Sequence, residues 1–80
     1  LTLTVGHDLV KVSGTSNITS ISATYAGHVA TLIFTGNASG NGLIKGNNLM
    51  IAGSFGYNLN DTITLVCDGT NWFERSRSRN

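Results

Sequence analysis

The acids of this sequence are Asp8, Asp61, Asp68 and Glu74, and glycoside hydrolysis would need two of them facing one cleft. Their settings point elsewhere. Asp61 opens a strand-like run and Asp68 stands before Gly69, positions at which a carboxylate serves its own backbone. His7 and His28 are the candidate bases or metal ligands, yet each follows a glycine and reads as a corner residue. Cys67 is the lone cysteine, so it forms no internal disulfide, and no Cys/His set with zinc spacing accompanies it. It falls on the apolar side of a strand pattern, where a small buried hydrophobe is expected rather than a reactive thiol. No catalytic residue, metal site or cofactor follows from these groups.

Binding chemistry is better represented. Trp72 and Tyr57, with Asn71 beside Trp72, are the candidate carbohydrate-binding residues, because an aromatic face suits the apolar face of a sugar ring while amides meet its hydroxyls. Tyr25 and Phe73 offer the same kind of surface. A structural role competes: Trp72 or Phe73 would plug an apolar interior or an interface, and strand alternation puts these neighbours on opposite faces. Arg75, Arg77 and Arg79 alternate with Ser76 and Ser78, so in a continuing strand all three arginines share a side and could pair with acids of a neighbouring chain. Phe55, Trp72, Phe73, Arg75 and Arg77 are the candidate contacts between copies. Residues 17–19, 37–39 and 60–62 fit the N-glycosylation pattern, which an Asn- and Thr-rich chain meets by accident.

The elements that must carry these residues are short strands. Residues 61–79, DTITLVCDGTNWFERSRSR, read as strand, Asp-Gly turn, aromatic strand and basic end. Upstream, Leu1, Leu3 and Val5 alternate with threonines, residues 9–12 form a second strand, Ile18 and Ile21 mark a third piece, and HVATLIFT at 28–35 is the longest apolar strand of the first half. Residues 36–42, GNASGNG, are a loop. Thr31 to Gly36 match Thr64 to Gly69 at a distance of 33 positions, and Leu43-Ile44-Lys45 echoes Leu9-Val10-Lys11. Such a period predicts two stacked coils and a terminal hairpin, with Leu9, Val10, Ile18, Ile21, Leu32, Phe34, Leu43, Met50, Ile51, Phe55, Ile63 and Leu65 filling coil interiors or a threefold contact.

With 80 residues, 11% of them charged, no proline and a net charge of +1, the chain is one small all-β domain. So small a core without disulfide or metal is expected to lean on association with other copies. Five basic residues against four acids argue against nucleic acid as a partner, and no apolar run reaches membrane-spanning length. The start, LTLTVGHD, has neither Met nor the regions of a signal peptide, which suggests a fragment of a longer protein.

The stretch from His28 to Ser78 resembles the carboxy-terminal module of phage tail spike and pectate-lyase-like β-helix proteins. The resemblance rests on GHVATLIF at 27–34, NLMIAGSF at 48–55 and DTITLVCDGTNWFERSRS at 61–78. It implies an all-β fold of short-stranded β-helix or β-prism-like coils, in an intertwined or side-by-side homotrimer. Residues 1–80 would then be one C-terminal trimerisation and capping module that assists assembly of an upstream β-helix in a virion tail appendage. The alternatives it leaves are a carbohydrate-binding tip for host surface polysaccharide and a fragment of a polysaccharide lyase or glycosidase. Met50 and the basic SRSRN ending depart from the family pattern.

Overall fold

The computed structural model describes residues 9–80. The strand and corner expected over residues 1–8, with His7 and Asp8, lie outside the described residues. Five strands form one mixed sheet: β1 (Leu9–Val12), β2 (Val29–Phe34), β3 (Leu49–Met50), β4 (Thr62–Cys67) and β5 (Trp72–Ser78). Their spatial order is β1-β2-β4-β5-β3. The described residues contain no helix.

The sheet follows from period-2 patterning. VATLIF in β2 and TITLVC in β4 each alternate half-buried and buried positions. Antiparallel pairing sets Ala30 against Leu65 and Leu32 against Ile63 on one face, and Val29 against Val66 and Thr31 against Thr64 on the other. A slip of one residue would turn the whole apolar set outward, so burial fixes this register. The Asp-Gly signal is borne out: Gly69 takes φ +98°, and the Asp68 N–H donates to the Asn71 carbonyl at 3.0 Å. β4 and β5 leave this turn as the expected terminal hairpin.

The inner face is covered by irregular chain. Ile21, Leu43, Ile51, Phe55 and Tyr57 join the buried residues of the strands in one apolar cluster. Phe34 of β2 stacks on Tyr57 at 4.0 Å between ring centroids and meets Phe55 edge-on at 6.0 Å. Trp72 is wholly buried in the same cluster, with its indole N–H donating to the Ser22 carbonyl at 3.3 Å. Of the residues expected inside, Leu9 and Met50 are instead exposed. They pair with Thr31 and Phe73, which belong to the outer face.

The 33-residue period does not stack coils. β2 and β4, which carry the matching segments, run antiparallel, with Thr31 opposite Thr64. The parallel neighbours are Leu9 with Thr31, Ile18 with Leu43 and Leu49 with Trp72, which lie 22, 25 and 23 positions apart in the chain. The chain therefore runs beside itself at that shorter lag. Asparagine side chains bridge the same gap where backbone cannot. The Asn48 amide both accepts from the N–H and donates to the carbonyl of Ile21. The Asn17 Oδ1 accepts from the Gly42 N–H at 3.0 Å, and the Asn37 Oδ1 from the Leu59 N–H at 2.7 Å.

The core closes within one chain. A Cα radius of gyration of 11.2 Å matches the roughly 11–12 Å of a compact domain this long. The described residues therefore gather one buried apolar cluster without a second chain.

Candidate interaction surface

The three described acids are each bonded within the chain, Asp61 and Asp68 to backbone N–H groups and Glu74 to Arg77 and the Ala52 N–H. The Asp68 Oδ1 accepts from the N–H groups of Thr70 at 2.9 Å and Asn71 at 2.7 Å. These bonds, that from Asn71 foremost, hold its carboxyl below the usual value. Asp61 is buried, and burial by itself would raise its pKa. The N–H groups of Asn58 and Asn80 and the Arg79 guanidinium outweigh that and hold it low. Glu74 is likewise lowered, chiefly by the Arg77 guanidinium, which forks onto both carboxylate oxygens at 2.7 Å.

His28 is buried. Its Nδ1 lies 2.6 Å from the Thr24 hydroxyl, its ring stacks on Tyr25 at 4.8 Å, and the Trp72 edge approaches at 5.5 Å. The Cys67 thiol is buried and accepts from the Gly69 N–H at 3.3 Å. Among the described residues no three His, Cys, Asp or Glu side chains converge on one point.

The residues chosen from sequence as binding groups divide sharply. Trp72, Tyr57 and Phe55 lie inside the core. Trp72 and Tyr57 therefore present no ring to a sugar, and neither Phe55 nor Trp72 faces a neighbouring copy. Tyr57 donates its hydroxyl to the Ser16 carbonyl at 2.6 Å. Asn71 is half-buried in the hairpin turn, Phe73 and Arg75 are exposed, and Arg77 is half-buried against Glu74. Alternation does separate Trp72 from Phe73 as expected. The three arginines do not behave alike, because the β4–β5 pairing carries a bulge: Leu65 faces Glu74 and Thr64 faces Ser76, leaving Arg75 unpaired in the ladder. Arg77 and Arg79 lie over the Phe55 ring, 4.9 and 4.7 Å from its centre, and Arg75 does not.

What the sequence did not single out is the outer face of the sheet. The registers align Val29, Val66, Phe73 and Met50 in one row across β2, β4, β5 and β3. A second row holds Leu9, Thr31, Thr64 and Ser76, and a third Lys11, Ile33, Thr62 and Ser78. Three of the five large apolar side chains exposed among the described residues stand here: Leu9 at 58%, Met50 at 43% and Phe73 at 40%. None of the residues in these rows is acidic, and the Thr31 and Thr64 hydroxyls satisfy each other at 2.9 Å. The alternation of β2 and β4 contained this row; only the pairing of β3 with β5 brought Met50 beside Phe73.

Comparison with protein-family models, with curated proteins and with solved structures finds no match to this chain.

Proposed function

We propose that the chain is a non-catalytic structural module that associates with copies of itself as a homotrimer and closes the end of a longer β-helical spike or fibre of a phage virion. The observation that carries this reading is the outer sheet face, where an apolar row runs from Val29 to Met50 although the chain's own core is complete on the opposite side. Exposed apolar area concentrated on one face is the mark of an interaction site. Three such faces turned towards a common axis give a prism-like arrangement in which Phe73 and Met50 supply the contact and Lys11 and Arg75 stay at its margins.

Size sets the strength. Five strands about 4.8 Å apart and six residues of about 3.3 Å give a face of roughly 19 by 20 Å. That is about half of the ~800 Å² per partner of a standard interface. Association of the isolated chain is therefore weak, and the upstream helix of the parent would strengthen it by raising the local concentration. Sedimentation of the chain at about 200 μM is expected to show trimer. Phe73→Ser with Met50→Ser should return it to monomer with an unchanged circular dichroism spectrum. A wild type that stays monomeric at that concentration overturns the reading.

One observation favours a second reading, a carbohydrate-binding tip. Tyr25 is an exposed aromatic ring held flat on His28 beside the Asp68 turn. Glycan binding by the chain that is lost in Tyr25→Ala and kept in the Phe73/Met50 double variant would place function there.

A further inference from the structure

The edge of β5 is finished in an unusual way. β3 pairs with it only at Trp72 and Phe73. From Glu74 onward the segment alongside is not a strand, and β5 is tied to it by side chains. The Glu74 Oε1 accepts from the Ala52 N–H at 2.8 Å, Arg77 donates to the Gly53 carbonyl at 2.8 Å, and Arg79 donates to the Gly56 carbonyl at 2.9 Å. The Phe55 ring lies under both guanidiniums.

Two carboxylates set these arginines in place. Glu74 grips Arg77 through two bonds of 2.7 Å. Asp61 accepts from Arg79 at 3.2 Å and from the Asn80 N–H at 2.8 Å, and the Asn80 side chain donates to the Asn60 carbonyl at 2.9 Å. Among the described residues, the charged side chains paired with these two acids are Arg77 and Arg79 alone. The segment 52–58 offers them backbone N–H groups and the Phe55 ring. Elsewhere the sheet is held differently: β2 and β4 pair through backbone ladders over apolar side chains and include no carboxylate.

We propose that Glu74 and Asp61 are the two catches of an acid-releasable fastening, which holds the Glu74 to Asn80 end of the chain against residues 52–61 at neutral pH and lets it go when both are protonated. A protonated acid keeps a weakened bond to a neutral N–H and loses its charge-assisted bonds to the guanidiniums. Two arginines would then sit over one ring with no counter-charge, and β5 beyond Phe73 has no strand on that side to hold it. Neither carboxylate takes part in the backbone ladders of β1-β2-β4, and β5 keeps its own ladder to β4 from Trp72 to Ser78. Release is therefore local, an opening of the kind that native proteins undergo below their global stability.

Amide hydrogen exchange followed by NMR on the 80-residue chain tests this. Between pH 6.5 and pH 2.5, protection factors corrected for intrinsic exchange should fall at least tenfold at Ala52, Asn58 and Asn80, whose N–H groups donate to Glu74 and Asp61. Those of Leu32, Leu65 and Cys67 should change less than threefold. Glu74→Gln with Asp61→Asn should show the acid pattern already at pH 6.5. Because the wild-type titration stands by itself, a double variant that fails to fold does not remove the test. Equal loss of protection in β2, β4 and β5, or protection of Ala52, Asn58 and Asn80 that persists at pH 2.5, overturns the proposal.

Discussion

Single side chains here do the work that strands do in larger sheets. Asn48 offers Ile21 both an acceptor and a donor, as a strand neighbour would. Asn48→Ala leaves two partly buried backbone groups without their bonds, so an equilibrium urea titration is expected to show a loss of about 1–3 kcal/mol. The asparagine-rich sequence suits turns, and Asn48 lies in one just before β3. The sequence cannot show which distant backbone each asparagine reaches, because that partner is set by the lag at which the chain returns. Asp61 was legible as a strand-start residue serving its own backbone, whereas its bonds to Arg79 and Asn80, 18 and 19 positions away, were not. Both Asp61 and Glu74 have native pKa values lowered from those of the unfolded chain. They bind protons more readily when unfolded, so the stability they contribute is complete above about pH 5 and drains as pH falls through about 4 towards their native values. Thermal melts from pH 7 to pH 2 should show that decline in the wild type and a flatter profile in Asp61→Asn with Glu74→Gln, whose midpoint at pH 7 is already lower.

At the level of elements, β2, β4 and the β4–β5 hairpin could be read directly, since each presents an uninterrupted alternation and the hairpin has its Asp-Gly turn. The likeness of TLIFTG to TLVCDG was equally visible and its meaning was not. Two antiparallel neighbours over one core need the same alternation as two stacked coils do, so similar composition does not reveal strand direction. Residues 43–45 form only an isolated bridge position at Leu43, which pairs with Ile18 on one side and Phe55 on the other. Gly42 controls that crossing. It has φ +75°, and a β-carbon there would press on the carbonyl oxygen of Phe55 and the backbone of Gly56 and Tyr57. Gly42→Ala combines a left-handed backbone with a backbone clash. It is expected to cost more than about 3 kcal/mol, the upper range for strained positions, and to appear as a large drop in thermal midpoint. Gly69→Ala, also at positive φ but with only ordinary contacts to Ala26, should cost about 1 kcal/mol.

The molecule as a whole has one closed core and one open face, and the two respond differently to substitution. Trp72→Ala empties the centre and is expected to cost about 3–5 kcal/mol in chemical denaturation. Phe73→Ser, one residue along the same strand, removes a side chain that is 40% exposed and only partly covered by its strand neighbours, and should cost the monomer about 1 kcal/mol. The single tryptophan of the sequence gives this arrangement a practical use. Its indole is sealed from solvent next to an imidazole and two residues short of the acid catch at Glu74. Its emission should stay blue while the chain's end comes free in acid, and move to the red only when the interior itself gives way. One fluorescence trace would then separate fraying of an end from collapse of the fold.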